Sequence, residues 1–128
     1  MVKVSKEVEH YIVPMYKLLY FKINTPKWIG IRFLMNISLS LKQRDYKIEM
    51  PKLDGKEYKL IQITGENKIE GDYTSLYKKM IEVYDKMEIK NNYELERRIE
   101  YHIQRGYQIL KKSLKSNSNI YEFLYHEF

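Results

Sequence analysis

Apolar residues recur at helical spacing over most of this chain. Val2 and Val4 alternate with polar neighbours as a short strand would, and Ser5 stands where a helix N-cap is wanted. Val8, Tyr11, Ile12, Met15, Leu18, Leu19 and Ile23 then share one helical side. Pro14 interrupts them. An interior proline removes a hydrogen bond and crowds the preceding turn, so the helix either kinks there or begins its stable part there. Thr25-Pro26 is a clearer start, a capping threonine before a proline with a pre-set φ. The following stretch to Leu41 is apolar nearly all round, with only Arg32, Asn36 and Ser40 drawing a narrow polar line. Such a helix must be buried on nearly all sides. Burial against a second copy is the economical way to do that, which predicts a homo-oligomer (dimer or tetramer) with Arg32, Phe33 and Ile37 at its interface.

Residues 43–68 are basic and less regular. Asp54-Gly55 signals a turn, and the alternating Tyr58, Leu60, Ile61 and Ile63 predict one short strand. A third helix opens at Gly71 or Asp72, with Tyr73, Leu76, Tyr77, Met80, Ile81, Tyr84 and Met87 as its core stripe. After Asn91-Asn92 a long helix runs from about Tyr93 to Leu114, carrying Leu95, Ile99, Ile103, Gly106, Leu110 and Leu114 on one face. Residues 120–128 form a short closing helix or a docked tail. The expected fold is mainly α and one domain over 1–128. A ribbon-helix-helix-like N-terminal unit is followed by a short β segment and a C-terminal helical pair, and the whole is oligomeric. In a ribbon-helix-helix unit two chains pair their strands and bury the second helix.

Charge adds a partner to this picture. Of the net +6, all comes from residues 1–62, which hold 12 Lys/Arg against 6 Asp/Glu, while residues 63–128 hold 11 against 11. Positive charge gathered in one region gives affinity for polyanions by counterion release. Lys17, Lys22, Lys27, Lys42, Arg44 and Lys47 lie near the ends of the first two helices, and those ends can form one phosphate platform. On the long helix Arg98, Arg105 and Lys112 recur every seven residues and stay close in helical phase, turned to solvent beside Tyr101. They grip phosphates or pair with Glu94 and Glu100; the pattern leaves both open.

Chemistry of its own finds little support. There are no cysteines, which removes disulfides, thiolate nucleophiles and zinc–thiolate sites. The five glycines are scattered, and no serine sits in a nucleophile elbow. His10, His102 and His126 are far apart in sequence, and His102 reads as a satisfied core or interface histidine. Thirteen tyrosines suggest base stacking, yet most occupy apolar helical positions and serve packing. No catalytic residue, metal or cofactor is expected. The N-terminus lacks an apolar signal region, and the longest apolar stretch is broken by Arg32 and Asn36, so a cytoplasmic protein without a membrane span is expected.

Residues 25–41, from Thr25-Pro26 through Arg32 to Ser38-Leu39-Ser40-Leu41, resemble part of DndE, a DNA sulfur modification protein family. Asp54-Gly55-Lys56-Glu57-Tyr58 running to Thr64-Gly65-Glu66, and His102-Ile103-Gln104-Arg105-Gly106, follow in the family's order. The resemblance spans roughly residues 5–114. It implies a bacterial system that replaces a non-bridging phosphate oxygen of DNA with sulfur and so marks self DNA. Within it, this would be a small non-catalytic component that binds DNA, preferring nicked duplex, through lysines on an oligomeric surface. Other DNA sulfur modification proteins would be its partners and would carry the sulfur chemistry. Two competitors stand beside it. A ribbon-helix-helix transcriptional regulator would read bases with its strand, where Lys3 is the one polar reader; an assembly protein would bind an acidic partner and no DNA.

Overall fold

Ser5 caps the first helix as its position predicts. Its Oγ accepts the Val8 amide at 3.2 Å and opens α1 (Lys6–Leu18), which continues through Pro14. The computed structural model describes residues 1–65 and 72–116; the closing segment 120–128 lies outside them. Leu18 and Ile23, expected on the buried side, are exposed, Leu18 as the last residue of α1 and Ile23 beyond its end.

Strand β1 (Val2–Lys3) pairs antiparallel with β2 (Glu57–Tyr58), Val2 opposite Tyr58 and Lys3 opposite Glu57. The Asp54-Gly55 turn delivers this pairing. Gly55 donates to the Val4 carbonyl at 2.8 Å, Val4 donates to the Lys56 carbonyl at 3.2 Å, and the Asp54 carboxylate accepts the Lys6 amide at 3.1 Å. One chain therefore supplies both strands of its ribbon, which corrects the two-chain ribbon of the expected N-terminal unit. The alternating run also does not stay extended. After Tyr58 it winds into the single turn α3 (Leu60–Thr64), closed by Gly65 at φ 90°, a left-handed position suited to glycine.

Helix α2 (Lys27–Ser40) starts one residue later than predicted. Pro26 is the cap and has no side chain to satisfy the first turn, and Thr25 does not serve. Tyr16 does instead, donating its hydroxyl to the Pro26 carbonyl at 2.7 Å while accepting the Gly30 amide at 2.8 Å. Two further helices complete the described residues, α4 (Thr74–Asp85) and α5 (Asn92–Ser116). Helix α5 is the main neighbour of α2, with α1, α3 and α4 around the remaining sides. The crossing is as tight as backbones allow, since a Cβ on Gly106 would lie 1.8 Å from the Leu34 carbonyl oxygen.

This crossing corrects the argument for a second copy. Ile31, Leu34 and Met35 are wholly buried within one chain, Ile37 is only 5% exposed, and Phe33 packs edge-on against Phe21 at 5.9 Å. The chain covers most of its own apolar helix, chiefly with α5. The stripe predicted on α4 splits in two. Tyr77, Ile81 and Tyr84 face the core, while Tyr73, Leu76, Met80 and Met87 are exposed, as is Val83 outside the predicted stripe.

Candidate nucleic-acid interface

The side chain that organises the basic region is buried. Arg105, expected to face solvent from α5, is 1% exposed. Its Nε donates to the Tyr46 carbonyl at 2.9 Å, its Nη2 to the Gln43 carbonyl at 2.9 Å and its Nη1 to the Ser38 carbonyl at 2.7 Å. Nη1 also lies 2.9 Å from both the Ser38 and the Tyr84 hydroxyls. Only a planar fork of donors can reach so many acceptors at once. Among the described residues no carboxylate is hydrogen-bonded to this cation. Carbonyl dipoles at the C-terminal end of α2 and the rings of Tyr46 and Tyr84, 5.9 and 5.3 Å from Cζ, offset its charge. The physical reason for the correction is that residues 42–47 cross over α5 at this point and seal it.

That crossing loop carries much of the expected phosphate platform. Arg105 draws the Gln43 and Tyr46 carbonyls inward, and Lys42, Arg44 and Lys47 stand exposed. Arg44 and Lys47 then meet Lys86 and Arg98 around a cleft of about 390 Å³ that also holds Asp45 and Asp85. Lys112 approaches the same loop from its other side, 5.9 Å over the Tyr46 ring. Lys86 escaped the sequence reading. No sequence signal marked it, since its left-handed φ of 54° at the end of α4 shows only in the structure.

Asp85 is occupied from within. Arg98 donates to it at 3.0 and 2.8 Å, so of the two uses left open for Arg98 ion pairing is the one observed, but with Asp85 rather than Glu94 or Glu100. His102 Nε2 lies 2.9 Å from the same carboxylate, and its Nδ1 2.7 Å from Ser38 Oγ. Burial pushes the His102 pKa down, opposed by Asp85 and reinforced by the charges of Arg98 and Arg105. Burial alone would raise Asp85, yet bonding and charge from His102 and Arg98 hold it below its ordinary value. A neutral His102 fits a directional chain in which Arg105 donates to Ser38, Ser38 to His102 and His102 to Asp85. The order is that of a hydrolase triad, but Ser38 Oγ belongs to a fully buried residue and already accepts from Arg105. Its hydrogen bonds tie α2, α4 and α5 together.

The other expected cations lie apart. Lys17 and Lys22 are exposed around the C-terminal end of α1, and Lys27 is tied to Glu9 at 3.0 Å. The length of α2, about 20 Å at its rise per residue, separates Lys27 from Lys42. The single platform is thereby corrected to two groups. Arg32, expected to pair across an interface, binds within its own chain: Nε donates to the Ile63 carbonyl at 2.6 Å and Cζ lies 4.8 Å over the Trp28 ring.

Among the described residues no cluster of three or more His, Asp or Glu could hold a metal, and no helix is long and apolar enough to cross a membrane. The features in hand define a class: a mainly helical domain whose buried arginine shapes a basic surface loop. The particular family follows from comparison, since the model of the DNA sulphur modification protein DndE family matches residues 1–118 and the chain belongs to that family. No curated protein and no solved structure matches the chain. Membership connects the chain with DNA sulfur modification.

Proposed function

We propose that the chain, as a single domain over 1–128, is a non-catalytic DNA-binding component of the cytoplasmic DNA phosphorothioation machinery. The loop held by Arg105 is the observation that carries this reading. Lys42, Arg44 and Lys47 project from a backbone anchored by a buried guanidinium, and Lys86, Arg98 and Lys112 flank them. Cations fixed in this way lose little conformational entropy on meeting a row of phosphates. Arg105 acts on DNA only through the loop; Lys17, Lys22 and Lys27 form a second, separate contact. The absence of cysteine agrees with sulfur transfer by other proteins of the system.

Fluorescence anisotropy with intact and nicked duplexes, from about 50 to about 200 mM salt, tests this. Changing Lys42, Arg44 and Lys47 together to Glu should remove most affinity for either duplex, with a smaller loss for the same change at Lys17, Lys22 and Lys27. Tighter binding of the nicked duplex would add the nick preference. No binding at the lowest salt would overturn the reading. The regulator alternative has lost its ribbon, because β1 is two residues long and pairs with β2 of its own chain. Self-association no longer has α2 as its reason; sedimentation of the purified chain measures it directly.

A further inference from the structure

The outward face of α4 has no cover among the described residues. Tyr73, Leu76, Met80, Val83 and Met87 are all exposed, Leu76 by 55% and Val83 by 61%. Their spacing alternates three and four, the seam of a two-helix contact. On α4 it runs for about 18 Å, just over three helical turns, with Met87 beyond the helix end. Beside it, between α2 and α4, lie two adjoining hollows of about 520 and 310 Å³ that share Leu76 and Met80. The first is lined by Arg32, Asn36 and Ser40 from α2, the second by Leu39, Arg44 and Lys79. The polar line along α2 thus borders the groove.

The charges choose the occupant. Among the described residues no carboxylate lines either hollow, whereas Arg32, Lys79 and Arg44 do. Arg32 Nη2 is buried and has no hydrogen-bond partner among the described residues. A guanidinium nitrogen without an acceptor costs free energy that an incoming carboxylate would recover. A second copy laid two-fold on this seam would set Lys79 and its neighbours against like charges, which costs several kcal/mol in such contacts.

We propose that the α2–α4 groove docks an acidic amphipathic helix of another protein, with its apolar side on Leu76, Met80 and Val83 and its carboxylates on Arg32, Lys79 and Arg44. The proposal rests on the reading of this chain as a component that works beside other proteins. Arg44 also lines the basic cleft, so a docked helix and DNA draw on one shared cation.

The test uses the full chain and two fluorescein-labelled synthetic helices with leucine at the seam positions. One carries glutamate at the flanking positions, and its twin carries lysine there. The acidic helix should bind at least about tenfold tighter than its twin. Leu76→Glu with Val83→Glu should abolish that binding, and Arg32→Gln should weaken it about tenfold. The Leu76→Glu, Val83→Glu pair should keep the wild-type urea midpoint, and both variants should keep the wild-type DNA affinity, so a failure of docking is told apart from a failure of DNA binding. Equal binding of the twins, or binding of neither, overturns the proposal. So does a self-association that the Leu76→Glu, Val83→Glu pair disrupts, which assigns the face to a second copy, or acidic-helix binding seen only after removal of residues 117–128.

Discussion

The crossing of α2 and α5 and the outer face of α4 reverse the usual placement of polar and apolar groups. At the crossing Arg105, His102 and Ser38 are buried, and Gln104 and Glu100 are buried where α5 meets Ser5 and β1. On α4, Leu76, Met80 and Val83 stand in solvent. The buried polar groups are tolerated because they are partnered; Gln104 accepts the Ser5 hydroxyl at 3.1 Å and Glu100 accepts the Lys3 amide at 2.8 Å. The exposed apolar ones have no such explanation among the described residues. A helix's own pattern identifies which residues share a face, and only the neighbours decide whether that face is covered.

Breaking the crossing should have the largest effect. Gly106→Ala drives a methyl group into the Leu34 carbonyl, a backbone atom that cannot turn aside. A loss of about 3 kcal/mol or more is expected in urea unfolding; a loss below about 1 kcal/mol would mean that the helices are not in backbone contact. Arg105→Met comes next. It leaves the Ser38, Gln43 and Tyr46 carbonyls without their donor, at about 3 kcal/mol. Its effect on DNA separates positioning from contact. Affinity should fall severalfold with an unchanged salt slope, whereas Arg44→Ala should lower the slope by about one. A reduced slope for Arg105→Met would return Arg105 to the phosphate contacts.

The same interior makes stability depend on pH, with a smaller amplitude. Unfolded His102 titrates near 6.5 and the folded side chain lower, because burial disfavours its cation. Between those two values the unfolded chain binds the proton and the folded chain does not. Stability is therefore full above about 6.5 and falls with pH until the folded value is passed. Asp85, held low, has the same sign but acts below its ordinary 3.8. Glu100, raised by burial, has the opposite sign and acts closer to 4.5. Urea midpoints stepped down from neutral pH should decline first through His102. His102→Gln should flatten that upper part of the profile, and a decline that persists in the variant would move the cause elsewhere.

Much of the local structure was legible in the chain. The Ser5 cap, the Asp54-Gly55 turn, the long last helix and a satisfied His102 all depend on residues near in sequence. What could not be read depends on distant packing. Arg98, Arg105 and Lys112 share a helical phase, yet one faces an aspartate, one is sealed and one stands on the surface, because a loop from residues 42–47 crosses the helix between them. The all-round apolar α2 asked for cover and could not say that α5 would supply it. Tyr58 through Ile63 alternate as a strand does, but Tyr58 alone of the four enters the two-residue ladder, and the rest turn into α3. The candidate site was legible as a list of cations and illegible as two separated groups.

The smallest effect decides whether the α4 face is bare in the isolated chain. Val83 is exposed in the middle of a helix, where alanine is the better former by about half a kcal/mol. With nothing packed on it, Val83→Ala should leave stability unchanged or raise it by that amount. Ile81, two residues away and fully buried, should lose about 3 kcal/mol on the same change. The pair controls for helix propensity, since both are β-branched residues in one helix of the same chain. If Val83→Ala instead costs more than about 1 kcal/mol, the side chain is covered in solution. The dependence of that cost on protein concentration then separates the two covers, because a second copy dissociates on dilution and a segment of the same chain does not.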